Sequence, residues 1–203
     1  VAAELILPTD RYAHGVLGDA LEWGGLLMVL ADGRKVRITL PKTRVFEDVD
    51  ARLADISGDG LPEVIVVETD VALGASLAVY GPSGKIAATD FIGQPNRWLA
   101  PAGLADFDGD GRIEIAYVDR PHLLGDLVMV RLEGDRLIEI LRLHDLTNHQ
   151  IGQDFISGGV RNCGEGQELI LASKDWTRVM RVRDGRVDDL GPMPVTGLAV
   201  PAC

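Results

Sequence analysis

The sequence contains no apolar stretch approaching the roughly 20 residues that a bilayer-crossing helix needs, so membrane insertion is not expected. It is also short of positive charge. Twenty lysines and arginines stand against 31 aspartates and glutamates, for a formal net charge of −11. Such a surface repels nucleic-acid phosphates and anionic lipid head groups, which removes both from the expected partners and favours divalent cations. Cysteine is scarce: Cys163 and Cys203 are too few to define a disulfide framework, and their number alone leaves a bridge and two buried thiols equally open. Catalytic signatures are missing too. There is no serine elbow, phosphate-cradling glycine loop, dinucleotide fingerprint or recognisable Cys–His pair. His14, His122 and His144 fall singly in loops or at strand ends, without metal-ligand spacing. The opening residues, VAAELIL, read as a strand and not as an export signal, although a trimmed chain would begin in the same way.

What the chain does have is material for strands. Its 203 residues fit one domain, or at most two small ones, with a core of ordinary size, and 46% of them are hydrophobic. The 24 glycines and the short runs rich in Val, Ile and Leu predict many strands joined by tight turns. No linker and no low-complexity segment interrupts them.

Internal repetition organises these strands. Glu4 begins ELIL, Glu63 begins EVIV, Glu114 begins EIAY and Glu168 begins ELIL, at intervals of 59, 51 and 54 residues. That spacing is near the roughly 40–50 residues of known propeller repeats. After each string comes a second apolar run folded about a turn signal: Asp32-Gly33, Pro82-Ser83-Gly84, Glu133-Gly134-Asp135 and Asp184-Gly185. A further strand precedes the glutamate string in three repeats, within ARLAD, AGLAD and GGVRN. The first repeat lacks it, and TGLAV near the C-terminus matches the missing piece. The expected fold is therefore an all-β, four-bladed propeller occupying residues 1–203 as one domain. Its repeats are approximately 1–42 plus 195–203, 43–95, 96–147 and 148–194, with the C-terminal strand closing the N-terminal blade. A β-sandwich or an open part of a larger propeller is the competing architecture.

Two loops carry the clearest chemistry. DFDGDGRIE places Asp106, Asp108, Asp110 and Glu114 at loop positions one, three, five and nine. Gly109 and Gly111 permit the backbone turns that would gather those oxygens. Carboxylates so close repel one another, and a hard divalent cation relieves that cost. Calcium takes six to eight oxygens in flexible geometry, so the carbonyl of Arg112 is a natural further ligand, while magnesium demands a tighter octahedron. DISGDGLPE repeats the spacing with Asp55, Ser57, Asp59 and Glu63, and with the carbonyl of Leu61. Ser57 stands where the other loop has a carboxylate, so weaker binding is expected there. The competing reading is a pair of solvated acidic turns without ions. The fourth repeat, NCGEGQE, is shorter and cannot keep the ligand spacing.

These loops, within ADISGDGLPEVIV and ADFDGDGRIEIAY, resemble the FG-GAP or VCBS-type repeats of integrin α-chain propellers and of many bacterial secreted proteins. The resemblance implies a propeller with two structural Ca²⁺ ions and a protein or glycan ligand. Blade number is where the chain departs from the pattern, so integrin-like ligand binding does not carry over.

Within the repeat frame, Cys163 and Cys203 fall near equivalent strand ends, and adjacent blades would bring them to one rim. A disulfide is then expected, with separate buried thiols as the alternative. Closing a loop of about 40 residues would contribute roughly 3–4 kcal/mol and favours an oxidising compartment, periplasmic or extracellular. A column formed by Arg44, Arg97 and His149 precedes the first strands and offers a cationic ring for an acidic ligand. The plainer reading has these side chains bonded to neighbouring carbonyls and acids. Trp98, beside Arg97, reads as core. The leading functional expectation is a monomeric, calcium-stabilised, non-enzymatic interaction module. Against it stand a small hydrolase or lyase on an acidic saccharide, with Arg44 and Arg97 binding and His149 as base, and a structural spacer of an envelope protein.

Overall fold

A computed structural model describes residues 1–18 and 21–203, and among these every regular element is a strand. By contact density the chain divides into two compact units. The first comprises Val1–Leu99, Leu132–Leu137 and Ile151–Asp154; the second comprises Ala100–Arg131, Ile138–Gln150 and Phe155–Cys203. The strands of the first two repeats lie in the first unit. Those of the last two lie in the second, apart from Leu99 and the hairpin tip at 132–137.

In the first unit, strands β1 (Ala2–Thr9), β2 (Glu22–Val29) and β3 (Lys35–Thr39) form an antiparallel meander, with Glu4 opposite Leu27 and Leu27 opposite Arg37. The second repeat follows with β4 (Arg44–Phe46), β5 (Arg52–Ala54), β6 (Glu63–Asp70), β7 (Gly74–Gly81) and β8 (Gly84–Ala88). Strands β4 and β5 both pair with β6, so the inner strand is split around residues 47–51. The gap is closed by side chain and backbone together: Val67 N–H donates to Asp48 Oδ2 at 2.8 Å and Glu47 N–H to the Val67 carbonyl at 3.1 Å. This break falls where FEDVD interrupts the apolar alternation, since buried acids must find donors that a ladder cannot supply. Leu26, Met28, Phe46, Val64, Val66 and Tyr80 make the core shared by the two repeats. Trp98 is buried, and its indole N–H donates to the Glu47 carbonyl at 2.8 Å.

The second unit repeats the plan. Strands β9 (Leu99–Ala105), β10 (Glu114–Asp119), β11 (Asp126–Glu133) and β12 (Arg136–Leu143) form one four-stranded sheet in sequence order. The other sheet holds β13 (Leu146–Thr147), β14 (Gly159–Asn162), β15 (Gln167–Ser173), β16 (Arg178–Arg183) and β17 (Arg186–Pro192). Here too the inner strand is split, with β13 and β14 both on β15. Strands β6 and β10 are buried almost throughout, which is why EVIVV and EIAYV read as continuous apolar runs without alternation. Ala116, Val118, Leu127, Met129, Leu169 and Leu171 pack between the two sheets. Gly103 lets them approach: a Cβ there would lie 2.3 Å from Val160 Cγ2.

The expected closing strand at 195–203 does not form. After Pro192 the chain holds a turn and irregular backbone. Pro194, Gly197 and Pro201 interrupt the apolar run, and each proline removes a ladder donor. The tail is fixed by other means. Leu198 packs with Ile170, Ala172 and Val179, Arg161 donates to the Pro201 carbonyl at 2.7 Å, and Cys203 is disulfide-bonded to Cys163 with their Cα atoms 5.5 Å apart.

That anchoring is local, so reduction is expected to cost about 2 kcal/mol, less than the roughly 4 kcal/mol that loop entropy alone would suggest. Once reduced, the tail can detach and forfeit little beyond the burial of Leu198. Melting in reductant, with carboxypeptidase trimming of residues 199–203 as a second readout, checks this. A large loss of stability without trimming would contradict it.

Candidate metal centres

Both acidic loops are held by their own first aspartate. Asp106 accepts from Gly109 N–H (2.7 Å) and Asp110 N–H (3.0 Å) through Oδ1, and from Gly111 N–H (2.9 Å) through Oδ2. Asp55 does the same with Gly58, Asp59 and Gly60 at 2.8, 3.1 and 2.9 Å. Such wrapping requires left-handed backbone at two positions per loop, and these are glycines: Gly58 and Gly60 at φ 76° and 86°, Gly109 and Gly111 at 75° and 88°. The closing glutamate returns from the following strand to the start of the loop. Glu114 Oε2 accepts from Phe107 N–H at 2.8 Å; Glu63 Oε2 accepts from Ile56 N–H at 2.9 Å and Ser57 N–H at 3.2 Å. Both glutamates are buried.

Three carboxylates converge in each loop. Oxygens of Asp106, Asp108 and Glu114 lie within 4.8 Å of one another, as do those of Asp55, Asp59 and Glu63. Hard, anionic oxygens in this number suit a divalent ion of the calcium type better than soft or imidazole-seeking metals. Ser57 Oγ donates to Glu63 Oε1 at 2.9 Å, which places its hydroxyl beside the second cluster. Asp110 stands apart from the first cluster. Its Oδ1 accepts from Arg112 N–H at 2.9 Å, and its Oδ2 is 3.0 Å from Arg131.

Arg131 is the participant that inspection of the loops missed. It lies on β11 directly across from Glu114, and its guanidinium reaches Glu114 Oε1 and Asp108 Oδ2, each at 2.6 Å. Against the desolvation that would lower it, hydrogen bonds to Glu114 and Asp108 hold the Arg131 pKa above its usual value. The Asp108 carboxyl is correspondingly held below the usual range: burial is the largest single influence and works the other way, but the hydrogen bonds from Arg131 and from Asp110 N–H, with the Arg131 charge, together outweigh it. Hairpin register could have revealed this partner, since counting outward from the loop at 120–125 that joins β10 to β11 pairs Asp119 with Asp126 and, five residues further along each strand, Glu114 with Arg131.

In the fourth repeat the glutamate is served by arginines. Glu168 is contacted by Arg161 at 2.6 Å and by Arg181 at 3.5 Å, Glu165 pairs with Arg183, and Asn162 accepts from Gly164 N–H. The arginine–histidine column divides between the two units. In the first, Arg44 bonds Glu68 at 3.0 Å, lies 3.6 Å from Asp70 and stacks 5.0 Å over Phe91, while Arg97 donates to the Asn96 carbonyl at 2.8 Å. In the second, His149 is fully buried and its Nδ1 lies 2.9 Å from His122 Nε2. A histidine without exposure cannot reach a saccharide as a base. Beside the Asp106 loop a cleft of about 200 Å³ is walled by Phe107, Met129, Ile140, Leu141 and Val182, with Arg183 at its edge.

Residues 55–117 match the FG-GAP-like repeat, a span that starts at the first aspartate of one loop and includes the whole of the other. The chain carries an FG-GAP-like repeat. FG-GAP-like repeats are an interaction-module type and not an enzyme type, in keeping with a sequence that lacks catalytic signatures. No curated protein matches the chain.

Proposed function

We propose that this protein is a calcium-stabilised interaction module of the periplasm or extracellular space, in which the FG-GAP-like repeat and its three companions serve as four blades of a small propeller. The observation that carries the reading is the pair of carboxylate clusters at one phase of the repeat, both inside the matched span. Asp55, Asp59 and Glu63, with Ser57 and the Leu61 carbonyl, would hold one ion. Asp106, Asp108 and Glu114, with Asp110 and the Arg112 carbonyl, would hold the other. A bound divalent ion supplies the positive charge that lets such carboxylates share a loop. Asp55 and Asp106 keep the loop wound, while Glu63 and Glu114 tie it to the central strand of the sheet.

The disulfide supports an oxidising compartment. The acidic surface, at −11, would favour a partner with a basic or neutral face over nucleic acid. A protein ligand fits the repeat type, and the chain is expected to act as a monomer.

Calcium titration by calorimetry, with melting in chelator alongside, tests the metal reading. Two binding events and a melting temperature that falls by several degrees on chelation are expected, with magnesium far less effective. A folded protein that takes up no calcium at millimolar concentration would make both loops ordinary acidic turns.

A further inference from the structure

Within this calcium reading, the two loops are unequal in a way their own residues do not reveal. The Asp106 loop has four carboxylates and the Asp55 loop three, which by charge alone ranks the former as the tighter site. Arg131 cancels that advantage. With Asp106, Asp108, Asp110, Glu114 and Arg131 counted together, the formal charge equals that of Asp55, Asp59 and Glu63. The guanidinium also contacts Asp108 Oδ2, Asp110 Oδ2 and Glu114 Oε1, so it occupies the oxygens that an incoming cation needs. Its side chain is mostly buried and its position is fixed by the ladder, with Glu114 directly opposite.

The Asp55 loop has no such occupant. Among the described residues no lysine or arginine forms an ion pair with Asp55, Asp59 or Glu63, and the neighbour of Glu63 Oε1 is the neutral hydroxyl of Ser57. One step beyond the Val64–Tyr80 pair, the residue across from Glu63 is Gly81, which has no side chain to offer. A hydroxyl can rotate to present a lone pair to a cation, whereas a guanidinium has no acceptor and must leave.

We infer that Arg131 is a tethered counter-ion that competes with a divalent cation for the Asp106 loop, so that the Asp55 loop is the tighter calcium site. The Asp106 loop then keeps its shape without metal, and the Asp55 loop depends on it. Charge-assisted, forked contacts of this kind are strong enough to set the order of the two sites.

Calcium calorimetry and chelator-dependent melting of the full chain, as wild type, Arg131→Gln and the double variant Asp55→Asn/Asp59→Asn, test this. The wild type should show one tighter and one weaker event. The double variant should lose the tighter event and most of the melting shift. R131Q should tighten the weaker event by on the order of tenfold. If R131Q does not fold, Arg131→Lys, which keeps the charge but loses the fork, should tighten it by a smaller factor, and the double variant decides the order independently. Survival of the tighter event in the double variant, or unchanged affinities in R131Q, would overturn the role of Arg131 and leave the calcium reading standing. Silence from all the proteins while folded would overturn the calcium reading itself.

Discussion

Glu114→Ala should lower stability by about 3–5 kcal/mol in calcium-free solution, one of the largest losses available to a single side chain here. The carboxylate is completely buried, accepts the Phe107 N–H at 2.8 Å and receives Arg131 at 2.6 Å. Truncation strands a buried backbone donor and strips the guanidinium of its best-placed partner. Arg131 keeps the half-exposed Asp108 and Asp110, but removing the buried member of such a pair still costs far more than the pair contributes in net terms. Glu4 occupies the same phase of the first repeat but is exposed, so Glu4→Ala is the internal control and should change stability by less than about 0.5 kcal/mol. Urea unfolding of both variants in chelator measures the contrast. Similar losses for the two would mean that the Glu114 contacts contribute little.

A second large effect is expected from Gly158→Ala. Gly158 has φ 78°, in the left-handed region, and an added Cβ would lie 2.1 Å from the Ile170 carbonyl oxygen and 3.2 Å from its carbon. The obstacle is backbone of the central strand β15, opposite the point where β14 begins its ladder at Gly159–Ile170. Neither side can yield without breaking that ladder, so a loss of at least about 3 kcal/mol is expected, well beyond the roughly 1 kcal/mol of the conformational penalty alone. Gly164→Ala separates the two contributions: its φ is 92°, but nothing lies within 4 Å of the added atom. It should lose only the conformational part. Thermal melting of the two variants side by side provides the test, and equal losses would remove steric contact as the cause.

The sequence made the strand framework legible because each glutamate string is a buried run with glycine-bearing turns on either side. Two loops could be read as ion cradles because their ligand-type residues lie within nine positions of one another, where local geometry governs. What escaped depends on partners distant along the chain. Arg131 reaches the Asp106 loop from the next strand, and only pairing register brings it there. Asp110 occupies a ligand-type position in the pattern, yet the same arginine draws its carboxylate aside. The splits between β4 and β5 and between β13 and β14 were hidden because FEDVD and NHQIGQD resemble ordinary loops until their buried acids and histidine find partners. The tail departs from a strand for a different reason. TGLAV has the composition of a strand, but Pro194, Gly197 and Pro201 outweigh it.

The position across from the closing glutamate has a further consequence. Loop aspartates and glutamates both wind the backbone and present oxygens, so any change to them damages two things at once. Their cross-strand neighbour has no such double duty: it is Gly81 in one repeat and Arg131 in another, at matching places in the ladder. A Cβ at Gly81 would meet only the flexible end of Ile86, at 2.9 Å. A single base change separates many glycine codons from arginine codons. The charge balance of each carboxylate cluster can therefore be changed through one residue outside the loop, while the aspartates that wind the loop stay untouched.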